Sequence, residues 1–562
     1  MFGFDLVQVN NGSFEAKQII AFDGYSCNNW MIEQFCCDKL FEETHEYILI
    51  LDGVVTNKAE LIKESSLTSW KDTYVCLYEA KGERFFSELK GSFAGALYDK
   101  KKHKWIIFTD QLGSKFLFYT KKNGFLVCSS MLNRLVGILH SLKCETNISP
   151  VGSLMMLTYG FMLEDYTIVD DVHKIQPGFY ITYENGIITQ KEYYQLKNTP
   201  KTDLSEDEYI ECIDSLFSNA VKRQFDKDVE YGKKHLVSLS AGLDSRMTSF
   251  VAHEVGYKKQ LNYTFSQSNY LDETIPKIIA SDLSHEWIYM SLDNGLWLYD
   301  VEEVTKLTGG QTIYYGSAHS YSMYKKMNIS EYGMFHTGIL GDAALAPPVN
   351  VRNADKPFEL GRGAFSKHFI KYLDFKPSKV DIDNEIGLLY YRQLNGILGG
   401  IQSSYNFSES LSPSQDLDFL EFSLSIPIKY RQNHELYRKW IKKKYPKAAS
   451  YIWERTGRTL RCQEPYIYYN DNIIPIKKLP SLVLSKLGVR QLTSTKNHMN
   501  PIAYYMNQNQ HLNSFLMKYF DYIELSEDPL IRKVLTEIKN SGTALEKIQA
   551  VSLLASYKLL FT

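Results

Sequence analysis

One segment of the chain has residue types and spacing suited to binding phosphate. It combines small residues, hydroxyl groups and one carboxylate, and it reads Leu239, Ser240, Ala241, Gly242, Leu243, Asp244, Ser245, Arg246. Small residues let backbone N–H groups approach an anion, a following helix adds partial positive charge at its N-terminus, and Asp244 can bind the Mg²⁺ that accompanies phosphates. The segment therefore predicts a phosphate-binding loop. A simpler alternative is a turn whose serine and aspartate only cap the helix.

The elements around this loop follow from hydrophobic periodicity. Residues 236–240 predict a buried parallel strand, and apolar residues at helical spacing predict a helix after the loop that stops near Gly256. Further strands are predicted at 261–266 and 287–292, with a helix over 275–283 between them. This alternation predicts a doubly wound parallel sheet that binds a ligand at the carboxyl ends of its strands.

The region before residue 195 has a different pattern. Short strand-like runs separated by turns lie at 47–51, 93–98, 105–109, 116–119 and 125–129. Such runs predict a mostly β region made of two stacked antiparallel sheets. The polar stretch 197–203 breaks both periodicities, so we interpret it as a linker. Patterns from about residue 370 onward indicate helices.

With these segments in view, residues 1 to about 460 resemble the asparagine synthetase family, which joins a class II glutamine amidotransferase domain to an ATP-pyrophosphatase domain. The phosphate loop resembles the family's SGGxDS motif, with Ala241 in place of the second glycine. Residues 51–57 resemble NGEIYN, and residues 91–99 and 109–119 are similar to GMFAFALWD and ARDRxGxKPLYY. The alternative for the N-terminal segments is two independent β-hairpins.

The resemblance implies three regions. Residues 1–195 would be an α+β amidotransferase-like domain of the N-terminal nucleophile (Ntn) type, with stacked antiparallel sheets and helices. Residues 205–470 would be an α/β ATP-pyrophosphatase domain built on a doubly wound parallel sheet. Residues 471–562 would form a mostly helical extension.

The resemblance also implies ATP and Mg²⁺ as ligands. Residues 337–342 are similar to the family's SGEGAD loop, so Asp342 would bind Mg²⁺ together with Asp244 while pyrophosphate departs. Four residues would lie near the adenosine part of ATP: Leu239, Phe265, Thr337 and Gly338. By local chemistry alone, residues 337–342 are equally a plain Gly-Asp turn. The acidic pair at 272–273 resembles another family segment and is equally explained as helix N-terminal charge.

Several positions depart from the family pattern where chemistry would be carried. The glutaminase nucleophile, a cysteine beside the initiator methionine, is replaced by Phe2, and a phenyl ring cannot attack an amide. Internal cysteines lack the terminal amine that assists such a nucleophile. The acid/base glutamate is replaced by Ile339, and the late catalytic lysine has no clear counterpart. Arg455 or Arg458 could instead stabilise charge on the departing pyrophosphate.

Composition restricts the partners and the compartment. The 562 residues include 63 basic and 65 acidic side chains, so no broad field attracts nucleic acid or an anionic membrane. No apolar run has the length of a membrane span, and the first residues do not resemble a signal peptide. The eight cysteines show no paired Cys-x-x-Cys spacing, which argues against zinc and disulfides. These features predict a cytoplasmic protein.

Two functional hypotheses follow. In the first, the protein is an ATP-dependent amide-forming ligase that activates a small-molecule or peptide carboxylate as an acyl-adenylate and uses ammonia or a substrate amine instead of glutamine. A homodimer is possible, and no nucleic acid or membrane partner is expected. In the second, the chain is a non-catalytic nucleotide-binding or scaffold member of the same family, in keeping with Ala241, Ile339 and the absent lysine. The presence of both Asp244 and Asp342 favours the enzyme.

Overall fold

Two antiparallel sheets make up most of the first half of the chain. The computed structural model describes residues 3–9, 19–22, 37–379, 382–462, 465–469, 472–476, 479–486 and 500–562. The five-stranded sheet has the order β2-β1-β8-β7-β9 and the six-stranded sheet the order β11-β10-β6-β5-β4-β3. Their strands are β1 Phe4–Val9, β2 Ile19–Phe22, β3 Leu40–Glu43, β4 Tyr47–Val55, β5 Gly91–Asp99, β6 Lys104–Thr109, β7 Phe118–Lys122, β8 Phe125–Ser129, β9 His173–Lys174, β10 Phe179–Glu184 and β11 Ile187–Glu192.

The two sheets are stacked face to face, as predicted. Leu6 and Leu126 of the first sheet and Ile50 and Ile107 of the second belong to one buried apolar cluster between them. In the described part of this half, the sheets are accompanied by α1 Lys58–Ser65, α2 Trp70–Lys81, α3 Leu132–Ser141 and α4 Pro150–Tyr159. Tyr74 of α2 packs in a second apolar cluster on the other face of the six-stranded sheet. The result is a layered α+β half with two antiparallel sheets at its centre.

Two of the N-terminal segments that resemble family motifs, at 51–57 and 91–99, contribute neighbouring strands to the six-stranded sheet, and the third, at 109–119, runs from β6 of that sheet to β7 of the other, so they are not independent hairpins. β4 pairs with β5 along its whole length, so that Asp52 lies opposite Ala94, and β5 pairs with β6. Some boundary predictions were wrong: β4 continues to Val55, four residues beyond its predicted end, and β7 begins at Phe118, two residues later than expected. The residues before it, Phe116 and Leu117, are buried, which explains why hydrophobicity alone extended the strand.

The second half contains the predicted parallel sheet. Five strands run parallel in the order β14-β13-β12-β15-β16. The strands are β12 Lys234–Ser238, β13 Gln260–Ser266, β14 Glu286–Ser291, β15 Tyr332–His336 and β16 Ser410–Leu411, and the helices among them are α5 Glu206–Glu230, α6 Asp244–Glu254, α7 Leu271–Leu283, α8 Val301–Thr308, α9 Tyr315–Tyr324 and α10 Gly341–Leu345. β12 ends at Ser238, so Leu239 and Ser240, which were predicted to be in the strand, belong to the loop.

Local sequence explains where the long helices begin. Ser205 and Glu208 form a capping box at the start of α5, each satisfying the other's backbone N–H group. α4 has Ser149 as its N-cap and ends at Gly160, which adopts the left-handed conformation. The predicted linker at 197–203 carries no helix or strand.

The order of strands places a crevice between β12 and β15. β13 and β14 lie on one side of β12, whereas β15 and β16 lie on the other. The loops that leave β12 and β15 therefore diverge at their carboxyl ends, which is where doubly wound sheets bind ligands. One buried carboxylate ties both strands to α5, because Asp228 lies 2.9 Å from His235 Nδ1 on β12 and 2.6 Å from His336 Nε2 on β15.

The rest of the chain is mainly helical. It comprises α11 Asn384–Leu388, a π-helix at Leu389–Ile397, α12 Leu398–Gly400, α13 Leu417–Ser425, α14 Ile428–Arg431, α15 Glu435–Lys444, the hairpins β17 Ile452–Trp453 with β18 Arg458–Thr459 and β19 Tyr466–Tyr469 with β20 Asn472–Pro475, α16 Leu479–Lys486, α17 Ile502–Gln508, α18 Gln510–Met517, α19 Pro529–Ser541 and α20 Ala544–Phe561. α20 reaches back to the first half, where Tyr557 Oη lies 2.7 Å from Ser153 Oγ. Among the described helices, none has the length and apolar character needed to cross a bilayer.

Candidate functional site

Two adjoining cavities lie where β12 and β15 end. The larger has a volume of about 800 Å³ and the smaller of about 570 Å³. Both are lined by the same small set of residues at their junction: Asp244, Gly338, Ile339, Asp342, Arg392, Ile397 and Arg455. The parallel sheet thus brings the phosphate-loop segment and the second loop, about 100 residues apart in sequence, to one place.

Most of the sequence-predicted site residues line the larger cavity. They are Ser240, Gly242, Leu243, Asp244, Ser245, Phe265, Thr337, Gly338, Asp342 and Arg455. Three others are not part of its lining. Leu239 and Ala241 have 2% and 0% of their surface exposed and pack in the apolar core. Arg458 is an exposed residue of β18, away from the cavity lining.

The predicted phosphate-binding loop accommodates alanine at the position of the family motif's second glycine. Ala241 is not among the residues with positive φ, so a methyl group causes no backbone strain there. Its N–H group donates to Asp272 Oδ1 at 2.7 Å, and burial raises the pKa of Asp272 to about 6. Asp272 therefore anchors the loop to α7. The hydroxyl groups of Ser240 and Ser245 lie 2.8 Å apart and can turn toward a phosphate.

Two carboxylates meet at the junction of the cavities. Asp244 Oδ2 accepts a hydrogen bond of 3.1 Å from the backbone N–H of Asp342, and Asp244 Oδ1 accepts one of 2.9 Å from Tyr437 Oη. Burial, together with the Asp342 charge, raises the pKa of Asp244 well above its ordinary value. Burial opposes ionisation of Asp342 too, but the hydrogen bond to His434 and the charge of Arg455 lower its pKa. A divalent cation would relieve the repulsion between the pair.

Close packing of the second loop against α6 depends on glycine. A Cβ atom on Gly338 would lie 2.3 Å from Ser245 N, and one on Gly341 would lie 2.5 Å from Asp244 Cγ. Between them, Leu340 has a φ of +70°, an unusual conformation for a side chain with a Cβ atom. The two loops are therefore held in contact at a conformational cost, as is common at functional sites.

We expect Gly341→Ala to displace Asp244 and impair nucleotide binding, because its new methyl group would overlap the Asp244 carboxylate. Gly400→Ala is a matched control, since Gly400 also lines the larger cavity but a Cβ atom there would meet nothing within 4 Å. Calorimetric titration with Mg·ATP checks the expectation. Equal affinities in the two variants would contradict it.

Sequence reasoning missed two residues that organise the carboxylates. His434 Nε2 lies 2.9 Å from Asp342 Oδ1 and 3.2 Å from Arg455 Nη1, while Tyr437 contacts Asp244. His434 follows Asn433, and both adopt left-handed backbone conformations, with φ of +63° and +57°. No local motif marks these residues. The sequence signal is their position near the start of α15, whose later residues include Arg438, Lys439 and Lys442–Lys444.

His319 is a further residue that lines the larger cavity and was not predicted. Its ring packs edge-on against Phe265, 4.7 Å between centroids, and against Trp297. Burial lowers the pKa of His319 from 6.5 to about 4. The folded protein therefore favours neutral imidazole, which can pack beside a flat apolar ring.

This pKa makes His319 a source of acid sensitivity. A depressed pKa in the folded state means that its contribution to stability is complete above pH 6.5 and is lost as the pH falls toward 4. Between pH 7 and pH 5 we expect the free energy of unfolding to fall by about 2 kcal/mol more in the wild type than in His319→Gln. Urea denaturation at both pH values measures the difference. The exposed His368→Gln variant is the control, and identical pH dependence of all three proteins would contradict the expectation.

In the first half, residues of the family-like segments form a buried ion cluster. Lys115 Nζ lies 3.0 Å from Asp52 Oδ1 and 2.7 Å from Glu409 Oε1, which belongs to the second half. Burial raises the pKa of Cys37, next to this cluster, well above its ordinary value, so its thiol is a poor nucleophile. Phe2 lies outside the described residues, as do Cys27 and Cys36.

Comparisons with known proteins agree with the motif resemblance. A profile described as a glutamine amidotransferase domain matches residues 36–194. Asparagine synthetase [glutamine-hydrolyzing] 2 of Bacillus subtilis is 26% identical over 322 residues, which cover 51% of this chain and 41% of that protein. Amidase chyE of Penicillium rubens is 28% identical over 183 residues, covering 32% of this chain and 25% of that protein. The matched stretches thus span less than half of these relatives.

A solved structure titled as the allosteric regulatory enzyme of purine biosynthesis also matches, covering 51% of this chain and 74% of that one. Its TM-score is 0.23 and its sequence identity 9%.

Proposed function

Because this chain is a distant relative of the asparagine synthetase family, we propose that it is an ATP-dependent amide-forming ligase. In the proposed reaction, a carboxylate oxygen attacks the α-phosphorus of ATP, an acyl-adenylate forms and pyrophosphate leaves. Ammonia or an amine then attacks the acyl carbon and gives up a proton, the amide bond forms, and AMP leaves. The substrates would be a small-molecule or peptide carboxylate and an amine, and the reaction would take place in the cytoplasm.

The observation that carries this proposal is the pairing of Asp244 and Asp342 at the junction of the two cavities. The charge of Asp342 acts on the Asp244 carboxylate, and two ionised carboxylates near each other are unfavourable unless they share a proton or a cation. Both present oxygen, the ligand type that Mg²⁺ prefers, and they lie beside a helix N-terminus that favours phosphate. Asp244 and Asp342 would hold Mg²⁺, which would neutralise charge on the phosphate oxygens.

Other residues of the chain have proposed roles around that pair. Ser240 and Ser245 would donate hydrogen bonds to phosphate oxygens in place of the hydrogen bond between their two hydroxyl groups. Arg455, which lines both cavities, would stabilise negative charge on the departing pyrophosphate, as a guanidinium can without transferring a proton. His434 would hold Asp342 and Arg455 in place. Phe265 and His319 would pack beside the adenine ring.

We infer the nitrogen source from residues of the first half. Asp52 occupies the position of the asparagine in the family's NGEIYN segment and is paired with Lys115 in the interior. Phe2 stands at the nucleophile position, and burial raises the pKa of the Cys37 thiol well above its ordinary value, so neither residue would hydrolyse glutamine. We therefore assign the nitrogen to free ammonia or to a substrate amine.

A non-catalytic role is the second candidate. Ile339 lines both cavities at the position of the family's acid/base glutamate, and no lysine is among the described lining residues of either cavity. A protein of this kind would bind Mg·ATP and leave it intact.

The bond that is broken separates the two candidates. Carboxylates should be screened with ammonium or small amines while AMP and pyrophosphate are measured, with Asp244→Ala as the blank. We expect AMP formation to depend on one class of carboxylate. We also expect that glutamine cannot replace ammonium as the nitrogen source. Tight Mg·ATP binding without cleavage across the panel would favour the non-catalytic role. ADP and phosphate as products would refute adenylation.

A further inference from the structure

The larger cavity has an apolar wall that a nucleotide does not require. We define the apolar wall as Phe161, Ile313, Phe365 and Ile397, all of which line this cavity. Its members lie close together: the Phe161 and Phe365 rings lie 6.5 Å apart edge to face, and a Cβ atom on Gly160 would touch both Phe365 and Ile313. Ile397 follows Gly396, where a Cβ atom would lie 3.0 Å from the Phe161 ring. It is built by both halves of the chain, since Phe161 follows α4 while Phe365 and Ile397 belong to the second half.

Two members of the wall are unusually exposed for apolar side chains. Phe365 is 40% exposed and Ile397 43% exposed, although both line a cavity of about 800 Å³. Apolar surface left open in a concave site marks a ligand-binding groove. The volume is also in the upper part of the range of about 300–1,000 Å³ found for sites that bind drug-sized ligands.

The wall extends to the place where the proposed chemistry occurs. Ile397 lines both cavities together with Asp244 and Asp342. Arg392 lies five residues before Ile397 on the same π-helix and also lines both cavities, so a guanidinium is available beside the wall for a carboxylate. Helices of this type often occur at functional sites.

From this arrangement we propose that the carboxylate substrate has a large apolar or aromatic body, which packs on the apolar wall while its carboxylate lies near Arg392 and the phosphates. A small dianion such as aspartate would leave Phe365 and Ile397 in contact with water. A carboxylate with an apolar body would cover them and gain the free energy of burying apolar surface. This inference rests on the proposed ligase function and specifies its substrate class.

The first test measures AMP formation with four carboxylates: octanoate, 3-phenylpropionate, acetate and L-aspartate. We expect octanoate or 3-phenylpropionate to support AMP formation at least tenfold better, as kcat/KM, than acetate or L-aspartate. Preference for L-aspartate or acetate would overturn the inference while leaving the ligase function intact. Absence of AMP with every carboxylate would count against the ligase function. In that case, the binding measurement described next tests whether the apolar wall binds an apolar carboxylate.

The second test measures binding without turnover. Octanoate is titrated into the full chain with Mg·AMP present, and binding is followed by calorimetry and by the fluorescence of tryptophan, because Trp453 also lines the cavity. Ile397→Ser and Phe365→Ser should weaken octanoate binding on the order of tenfold, with the affinity for Mg·ATP unchanged. Both side chains are partly exposed, so their replacement should leave the fold intact.

Ile187→Ser is the matched control, because Ile187 is 64% exposed on β11 and lines neither cavity. The inference predicts wild-type octanoate binding in this variant. No detectable octanoate binding by the wild type, or equal affinities in the Ile397→Ser and Ile187→Ser proteins, would overturn it.

Discussion

Replacement of Asp244 or Asp342 by asparagine is expected to weaken Mg·ATP binding by about 1–3 kcal/mol and to abolish measurable AMP formation. Each change removes one negative charge next to the phosphates, and hydrogen bonds to charged groups contribute about this much. Asparagine keeps the shape of the side chain, so Tyr437 can still donate to residue 244. Calorimetry with ATP in the presence and absence of Mg²⁺ gives the affinity, and pyrophosphate release gives the activity.

The melting temperature of Asp244→Asn distinguishes a cation-binding site from a pair of carboxylates with a structural role. Because burial and the Asp342 charge raise the pKa of Asp244, the ionised Asp244 carboxylate costs stability at neutral pH in the absence of a cation. Asp244→Asn should therefore melt at the same temperature as the wild type or higher, while it loses binding. Asp521→Asn, at an exposed position outside both cavities, is the control. A lower melting temperature together with unchanged Mg·ATP affinity would show that the pair is structural.

The second large effect concerns the ion cluster between the two halves. Lys115→Met should destabilise the protein by about 3–5 kcal/mol, because it leaves Asp52 and Glu409 buried without a positive partner. Burial raises the pKa of Glu409 to about 7 even with Lys115 present, which indicates how unfavourable a free charge is there. Urea denaturation followed by circular dichroism measures the loss of stability.

Lys90→Met is the matched control for that prediction. Lys90 also joins the two halves, through a 2.8 Å ion pair with Asp418, but both side chains are more than one third exposed. Exposed pairs contribute about 0–1 kcal/mol, so this variant should be almost as stable as the wild type. Adding Asp52→Asn and Glu409→Gln to Lys115→Met should recover most of the stability. Equal losses of stability in the Lys115→Met and Lys90→Met proteins would show that burial of the ion cluster does not increase the cost of removing its lysine.

Much of the architecture could be predicted from local pattern. Parallel and antiparallel sheets differ in the hydrophobicity of their strands, so the strand runs at 125–129 and 261–266 were identified within about one residue. The stretch 197–203, interpreted as a linker, lies within a longer segment without helix or strand. The sequence also determined by itself that Asp244 starts a helix and that Asp342 follows a glycine-containing turn. These properties depend on residues that are adjacent along the chain, and the sequence shows those neighbours directly.

The tertiary structure alone decided which distant residues meet. His434 contacts Asp342 across 92 residues, and Lys115 contacts Glu409 across 294, and neither pair has a local signal. It also separated Arg455, which lines the cavities, from Arg458, which does not, although the two are three residues apart. Such contacts depend on the packing of whole elements, because side chains a few residues apart can face a cavity or the solvent according to how their element packs. The apolar wall is the clearest case, since its members come from both halves of the chain.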